Sequence, residues 1–170
     1  MYNIPLPGSA VFRQATTSDM STIWRIVYNA YSCYIPLLGR TPPTFHEDFD
    51  SHVALGNVWL CEKDGGTNAM VILTPKTDHM LLQALCVDPS QQGQGLGRDL
   101  LAFADTRATR MGIREIRLYT NSIMQRNIKI YHKCGFRRTH TESYAWGTRV
   151  HMKKTLRVKQ RSTASALAIA

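Results

Sequence analysis

The apolar positions in the first part of the chain recur at spacings of three and four residues, the period of an amphipathic helix. The residues on this apolar face are Met20, Ile23, Trp24, Val27, Ala30 and Tyr31. Capping hydroxyls and a carboxylate in residues 16–19 predict where the helix begins, and we expect it to continue to about Tyr34. Residues 11–15 before it predict a short strand.

Three prolines and a glycine in residues 35–43 interrupt this pattern and predict a bend. The sequence Thr44-Phe45-His46-Glu47 has the form of a capping box, so we expect a second helix to begin there and to end at Gly56. Two helices flanking a proline-rich bend are therefore predicted before the first long strand.

Period-two and continuous apolar runs predict six further strands. These are residues 57–62, 69–73, 80–87, 115–120, 136–144 and 149–155. The run Met80–Val87 is almost entirely apolar, so we expect both faces of that strand to be covered. A helix ending at Gly112 follows it and precedes the strand at 115–120, an arrangement that predicts a parallel strand pair. Ser122 is expected to cap a last helix, which runs through Tyr131 and is ended by Gly135.

The net charge of +9 is concentrated near the C-terminus. Residues 1–136 carry 13 Lys and Arg against 11 Asp and Glu, whereas residues 137–161 carry 8 against 1. Because the charge lies in one segment without a helix-turn-helix or zinc pattern, we expect no nucleic-acid partner. A phosphorylated ligand or an acidic partner remains the alternative for these basic residues.

The four cysteines, Cys33, Cys61, Cys86 and Cys134, are widely spaced and form no Cys-x-x-Cys pair, so no metal is expected. Cys86 and Cys134 are interpreted as buried small hydrophobic residues. Neither a leader sequence nor an apolar stretch of about 20 residues is recognisable, so we expect a cytoplasmic protein without a membrane partner.

A glycine-rich loop lies between the predicted strand 80–87 and the helix after it. Its sequence, Gln91-Gln92-Gly93-Gln94-Gly95-Leu96-Gly97-Arg98, can present backbone N–H groups, a helix N-terminus and an arginine to an anion. It lacks the Gly-Lys-Ser/Thr ending of a Walker loop, and position 98 is arginine where a dinucleotide fingerprint needs glycine. What remains is the spacing Gln-x-x-Gly-x-Gly, made by Gln92, Gly95 and Gly97.

This loop resembles the pyrophosphate loop of the GNAT superfamily of acyl-CoA-dependent N-acyltransferases. A second segment supports the resemblance, because Asn127 precedes Tyr131 by four residues and Gly135-Phe136 follows. The resemblance spans residues 11–156 and implies an α/β (α+β) fold with a mixed twisted sheet of about six to seven strands and about four helices. A splayed parallel strand pair would hold the cofactor. Residues 157–170 are expected to be a basic, mobile tail.

The resemblance implies acetyl-CoA as co-substrate and assigns its contacts. The expected cofactor-binding residues are Leu85, Val87, Gln92, Gly93, Gly95, Gly97, Arg98, Asn127 and Lys133. The two strand residues would offer backbone groups to the pantetheine arm, the loop would hold the pyrophosphate, and Lys133 would reach a phosphate.

The implied reaction is direct attack of a neutral amine on the acetyl thioester. Tyr131 matches the family tyrosine proposed to protonate the departing thiolate. Many members carry a carboxylate on the strand before the loop, but this strand offers only Gln83, which cannot take a proton at neutral pH. A water chain or an amine of low pKa would serve instead, and Glu47 and Asp48 are more distant candidates that can also be explained as helix caps.

Acceptor specificity is expected in the first two helices and their bend. Tyr31, Tyr34, Arg40 and Gln83 are the candidate substrate-binding residues. Aromatic walls with one arginine would suit a small amine that carries a carboxylate. The leading hypothesis is an N-acetyltransferase for the primary amine of a small molecule. A protein lysine or N-terminal acetyltransferase and a catalytically silent acyl-CoA sensor are the alternatives. The sequence specifies neither the acceptor nor the acyl chain length. It is compatible with a homodimer but does not fix the oligomeric state.

Overall fold

The computed structural model describes residues 10–145 and 147–157, and these form one seven-stranded mixed sheet. The strand order is β1-β2-β3-β4-β5-β7-β6. The strands are β1 Val11–Gln14, β2 Val58–Lys63, β3 Gly66–Pro75, β4 Met80–Val87, β5 Glu115–Asn121, β6 Arg137–Tyr144 and β7 Gly147–Thr155. The β4–β5 pair is parallel and every other pair is antiparallel, which confirms the mixed sheet expected from the sequence.

Helices cover both faces of this sheet. They are α1 Met20–Tyr31, α2 Ile35–Leu38, α3 Phe49–Ala54, α4 Leu96–Arg110 and α5 Gln125–Lys133. One core contains the buried residues Leu100, Leu101 and Ala104 of α4, together with Ile128 of α5. The opposite core contains Ile23, Ile26 and Val27 of α1 with Phe49 of α3. The spacing of three and four in α1 thus corresponds to its buried face.

Strand β4 contributes to both cores because it contains a bulge. Ile72 pairs with Ala84 and Leu73 with Leu82, so Gln83 has no partner on β3. An extra residue shifts the alternation of side chains by one position. Met80 and Leu82 therefore belong to the core with α4, whereas Ala84 and Cys86 belong to the core with α1. Both faces of β4 are covered, as its apolar run predicted.

The parallel strands β4 and β5 separate towards their C-terminal ends. They pair at Met80–Ile116, Leu81–Arg117 and Leu82–Leu118, and no pairing follows. The separation begins at the bulged Gln83, and it opens a gap beside Leu85 and Val87. This is the splayed pair that the family resemblance implied.

The prediction of a helix from Thr44 to Gly56 is wrong at the N-terminal end, because α3 begins only at Phe49. Residues Pro43–His46 form a turn of 3-10 helix, and Glu47 is extended, with φ −69° and ψ 141°. Asp48 is the N-cap of α3, because its carboxylate accepts hydrogen bonds from the backbone N–H of Ser51 at 3.1 Å and from its hydroxyl at 2.6 Å. The capping box fails because Asp48 is the better cap for this helix, which leaves the Glu47 side chain for another role.

Other boundaries differ from the expectations in smaller ways. α1 ends at Tyr31, and residues 32–34 form a 3-10 turn. The expected break at 35–43 contains the short α2, which accommodates Pro36 in its first turn. Ser122 does not cap α5, because the N-cap residue is Met124 and Asn121 instead accepts a hydrogen bond from the N–H of Ile123 at 3.0 Å.

Two predicted buried cysteines differ in burial. Cys86 is fully buried, whereas Cys134 is only half-buried. Trp146, which lies between the last two predicted strands in the sequence, and most of the predicted tail at 157–170 lie outside the described residues. In the part of the chain that the structure describes, no helix is long and apolar enough to span a bilayer.

Candidate active site

The glycine-rich loop leads directly from β4 into α4. Gly93 and Gly95 have φ values of +87° and +89°, a conformation that favours glycine. A Cβ atom built on either glycine, or on Gly97, would meet nothing within 4 Å. The first bond of α4 runs from the N–H of Arg98 to the Gly95 carbonyl at 2.8 Å, so the N–H groups just before Arg98 have no intrahelical acceptor. The loop therefore has open space and donors for an anion.

Asp88 holds this loop to helix α1. Its side chain is 9 % exposed and accepts hydrogen bonds from Asn29 Nδ2 at 2.8 Å and from Ser90 Oγ at 2.7 Å. Arg25 Nη1 lies 3.4 Å from the same carboxylate. Burial alone raises the pKa of Asp88, but the hydrogen bonds from Asn29 and Ser90 and the Arg25 charge outweigh it and lower the pKa overall. Asp88 is thus an ionised anchor at the start of the loop.

A cavity of about 370 Å³ lies between the loop, the C-terminal half of β4 and helix α5. Eight of the nine predicted cofactor residues line it, namely Leu85, Val87, Gln92, Gly93, Gly95, Gly97, Arg98 and Asn127. Its volume lies within the range of about 300–1,000 Å³ that is usual for small-molecule sites. An apolar strand edge at one end and glycines with an arginine at the other fit a ligand with an apolar arm and phosphate groups.

Two cationic residues near this cavity differ from the expectation. Arg126 lines the cavity, and its Nη1 donates to Gln92 Oε1 at 2.8 Å, joining α5 to the loop. It had not been predicted as a site residue, although it directly precedes Asn127 in the second motif. Lys133 is exposed at the end of α5 and is not among the residues that line the cavity. Its contact with a phosphate stays a prediction.

Tyr131 lies at the boundary between the 370 Å³ cavity, which we call the cofactor cavity after the contacts predicted from the sequence, and a second, smaller cavity. The side chain is 8 % exposed and packs edge-on against Phe136, with ring centroids 5.9 Å apart. Asn127 lies one helical turn before it, and both residues line both cavities. Burial, with a smaller contribution from Cys86, raises the pKa of Tyr131 above its usual value. Its hydroxyl is therefore a protonated group at the junction of the two cavities.

The second cavity, of about 110 Å³, adjoins the first. Tyr31, Leu85, Asn127 and Tyr131 line both. Of the four predicted substrate residues, Tyr31, Arg40 and Gln83 line this smaller cavity, whereas Tyr34 lines the cofactor cavity instead. We refer to the 110 Å³ space as the acceptor cavity.

Glu47 is the carboxylate that strand β4 itself lacks. It lines the acceptor cavity, and its Oε2 accepts a hydrogen bond from Gln83 Nε2 at 2.8 Å. His52 Nε2 on α3 lies 3.1 Å from the same Gln83 nitrogen and 3.6 Å from Glu47 Oε2. The sequence had offered Glu47 and Asp48 equally, as distant candidates. The structure separates them, because Asp48 caps α3 and Glu47 faces the cavity.

The opposite wall of the acceptor cavity comes from the C-terminal strands. Tyr119, Tyr144 and Arg149 line it. The Arg149 guanidinium lies over the Tyr119 ring, 4.6 Å from its centroid, and its Nη1 is 3.2 Å from Glu142. The sequence had placed Arg149 only in the basic C-terminal segment. Its position was missed because the pairing of β7 with β5, which aligns Arg149 with Asn121, carries no local signal.

Residues 10–145 and 147–157 contain no group of three or more His, Cys, Asp or Glu side chains arranged to hold a metal ion. The polar side chains described above are instead distributed between the two adjoining cavities.

Comparison with solved structures shows the same fold in several acetyltransferases. The PaiA N-acetyltransferase of Thermoplasma acidophilum, solved with coenzyme A, superposes with a TM-score of 0.73 at 16 % identity, over 86 % of this chain and 99 % of that one. The ribosomal-protein-S18-alanine N-acetyltransferase of Escherichia coli gives 0.71 at 18 % identity, over 91 % and 98 %. The IAA acetyltransferase of Bacillus cereus gives 0.65 at 15 % identity, over 87 % and 100 %.

By sequence alone, no curated protein is significantly similar to the chain. The family model of the acetyltransferase (GNAT) domain matches residues 54–138, half of the 170 residues. The match runs from the end of α3 into β6 and includes both the glycine loop and the Asn127–Tyr131 segment. The chain therefore belongs to the GNAT family and is an acetyl-CoA-dependent acetyltransferase.

Proposed function

We propose that the protein transfers an acetyl group from acetyl-CoA to the primary amine of a small molecule that also carries a carboxylate. The observation that carries this proposal is the contact between two cavities of different chemistry. One is lined by glycines and the two arginines Arg98 and Arg126, and the other by two arginines and the carboxylate of Glu47. Tyr131 lies where they meet, so an amine in one can approach a thioester in the other.

On the donor side, the cofactor would lie along the splayed edge of β4. The backbone groups of Leu85 and Val87, which β5 does not use, would bind the pantetheine arm, and Asn127 would contact it from α5. The N–H groups of the loop from Gln92 to Arg98 would bind the pyrophosphate, aided by the positive end of α4. Acetyl-CoA supplies the acetyl group as an activated thioester.

At the junction, Tyr131 would donate its proton to the departing sulfur. Two features support this role. Its raised pKa keeps the phenol protonated at neutral pH, and its hydroxyl makes no hydrogen bond to any other described residue. Positioning both substrates beside this group would supply a large part of the rate enhancement.

On the acceptor side, Arg40 and Arg149 would bind the carboxylate of the amine. Guanidinium groups pair with carboxylates through two parallel hydrogen bonds. The small volume of the acceptor cavity, about 110 Å³, also favours a compact acceptor. A protein acetyltransferase would be favoured by an open, acidic groove, but arginines outnumber carboxylates among the described residues of this cavity.

The similar structures do not decide between these acceptors. They include an enzyme that acts on a ribosomal protein and one described as an IAA acetyltransferase. At identities of 18 % or less, the likeness extends to the fold alone.

The test is an acceptor screen with acetyl-CoA. Primary amines would be supplied in matched pairs with and without a carboxylate, and peptides with free N-termini or lysines would form a third group. Free thiol release and product mass would be measured. We expect turnover of small amines, with preference for the carboxylate-bearing member of a pair. Acetylation of peptides alone would support a protein acetyltransferase, and cofactor binding without any turnover would support the silent sensor.

A substitution on the acceptor side would refine the result. Arg149→Met should lower kcat/KM for the carboxylate-bearing amine about tenfold or more, because a charged hydrogen-bonding partner is lost. The amine without a carboxylate should be affected much less. Arg110→Met, at an exposed position in the last turn of α4, is the control.

A further inference from the structure

We infer that Glu47 is the proton acceptor of the reaction and that Gln83 and His52 hold it in place. The inference rests on the proposed acetylation of an amine, because a primary aliphatic amine is protonated at neutral pH and must lose a proton before it can attack. The residues involved come from three separate elements: the turn before α3, strand β4 and helix α3.

The two oxygens of the Glu47 carboxylate have different environments. Oε2 accepts the hydrogen bond from Gln83 Nε2 at 2.8 Å and lies 3.6 Å from His52 Nε2. Oε1 has no hydrogen-bond partner among the described residues, and Glu47 lines the acceptor cavity. One oxygen is therefore anchored, and the other is available to a ligand or a bridging water.

Gln83 owes its position to the bulge in β4. Because it has no partner on β3, its side chain can turn towards Glu47. Its amide is fixed at both ends, since Thr74 Oγ1 donates to its Oε1 at 3.3 Å while its Nε2 donates to Glu47. Gln83 is thus a positioning residue for a carboxylate 36 residues earlier in the chain.

His52 on α3 lies beside the same Glu47 carboxylate, with its Nε2 3.6 Å from Oε2. Its side chain is 15 % exposed, and its Nδ1 is buried without a hydrogen-bond partner among the described residues. We assign His52 as a positioning residue, because its Nε2 lies 3.1 Å from Gln83 Nε2 and 3.6 Å from Glu47 Oε2.

The other charged and titratable groups around Glu47 lie on the remaining walls of the acceptor cavity. Arg40 follows α2, Arg149 lies on β7, Tyr119 lies on β5 and Tyr144 lies on β6. Burial, together with the Glu47 charge, raises the pKa of Tyr119, so this phenol stays protonated and does not compete as a base. Two further phenols line this cavity, Tyr31 from α1 and Tyr131 from α5. Burial raises the pKa of each.

The protons of the reaction can be accounted for with these residues. The acceptor enters as an ammonium ion, and Glu47 takes one proton, which frees the nitrogen lone pair. The N–C bond to the acetyl carbonyl carbon forms, and the C–S bond of the thioester breaks. The nitrogen loses its second proton to solvent, and Tyr131, which gives its proton to the departing sulfur, regains one from solvent. Glu47 then releases its proton to solvent, so the products are an amide, a free thiol and one proton.

The test compares two acceptors in the Glu47→Gln enzyme. The first is the best amine from the screen, and the second is its aminooxy analogue, whose nitrogen is already neutral at pH 7. For the amine we expect kcat/KM to fall about 100-fold or more, the usual contribution of general acid–base catalysis. For the aminooxy compound the fall should be less than fivefold. Raising the pH should restore the activity of Glu47→Gln towards the amine, because the free amine then forms in solution.

Asp50→Asn is the matched control, because Asp50 lies three residues away and is exposed on α3. It removes the same charge from the same region, and both acceptors should react as with the wild type. His52→Gln should show the same selective loss for the amine as Glu47→Gln, but smaller. If the role of His52 is purely structural, His52→Gln should lower kcat/KM for both acceptors equally.

The outcomes separate this inference from the proposed function. If the wild type acetylates amines and Glu47→Gln affects both acceptors alike, or neither, Glu47 is not the proton acceptor and the proposed function stands. If the wild type acetylates no amine at all, the proposed function fails and this inference fails with it. Thermal unfolding of each variant with coenzyme A identifies any substitution that only disturbs folding.

Discussion

Arg126 on α5 donates a hydrogen bond to Gln92 in the glycine loop at 2.8 Å, which joins two of the elements that form the cofactor cavity. Both residues line that cavity, so the guanidinium is next to the space where phosphate groups would bind. An exposed arginine that already reaches the loop can pair with a phosphate after a small movement of its side chain. Arg126 is thus a cationic residue of the cofactor cavity in addition to Arg98.

We therefore expect Arg126→Ala to raise the Kd for coenzyme A about tenfold, which corresponds to about 1.4 kcal/mol. The loss should shrink at high salt, because an exposed ion pair is screened. Isothermal titration calorimetry at two salt concentrations measures both effects, with Arg110→Ala as the control. An unchanged Kd would show that Arg126 contributes only its contact with Gln92.

Gly97 should separate stability from cofactor binding. It lies in the first turn of α4 without a positive φ, and a Cβ there meets nothing within 4 Å. Gly97→Ala should stabilise the unliganded protein by up to about 1 kcal/mol, because alanine has the higher helix propensity. The added methyl group lies in the cofactor cavity and should weaken coenzyme A binding.

Thermal unfolding with and without coenzyme A measures both terms for Gly97→Ala. Gly95→Ala is the contrasting variant, since its φ of +89° costs a non-glycine residue about 1–2 kcal/mol. It should lose stability even without ligand. Unchanged coenzyme A affinity in Gly97→Ala would place the phosphates away from this turn.

Tyr131→Phe should lower kcat about 100-fold while leaving coenzyme A affinity nearly unchanged, because only a proton donor is removed. The raised pKa of Tyr131 has a second consequence. A phenol with a pKa above its usual value of about 10 stays protonated at every lower pH, so its ionisation cannot reduce activity there. The pH profile of kcat up to pH 10 checks this. An alkaline decline in the wild type that is absent from Tyr131→Phe would contradict it.

Asp88→Asn should destabilise the protein at neutral pH by about 1–3 kcal/mol, because Asp88 accepts several hydrogen bonds in a buried position. Its pKa is lowered in the folded protein, so its stabilising contribution is present above the unfolded value of about 3.9. That contribution is lost as the pH falls through the lower, folded value.

Urea unfolding of the wild type and Asp88→Asn at pH 7 and at pH 3 would test this dependence. The difference in unfolding free energy should be large at pH 7 and smaller at pH 3. A difference that does not change with pH would mean that the carboxylate charge is not what anchors the loop. Asp64→Asn, in the turn between β2 and β3, is the control.

The residues that line the cofactor cavity could be predicted from the sequence because their signals are local. The glycine loop lies between a strand and a helix that are adjacent in the chain, and Asn127 and Tyr131 are one helical turn apart. Eight of the nine predicted cofactor residues consequently line one cavity. Lys133 is the exception, because an exposed position at a helix end does not reveal the direction of a long side chain.

The acceptor side could not be predicted in the same way. The Thr44–Glu47 sequence matched a capping box, but Asp48 caps α3 and the Glu47 side chain contacts Gln83. Arg149 reaches the acceptor cavity only because β7 pairs with β5. Neither relationship has a sequence period, since each joins residues that are far apart in the chain.

The family fold and the residues of the glycine loop and α5 that line the larger cavity could be predicted from the amino-acid sequence, because short-range hydrogen bonding and helix geometry encode these features within a few residues. Which carboxylate and which arginines line the acceptor cavity depends on contacts between distant parts of the chain. Those side chains come from a turn, a bulged strand and a C-terminal strand, which meet because the sheet and its two cores bring distant segments into contact.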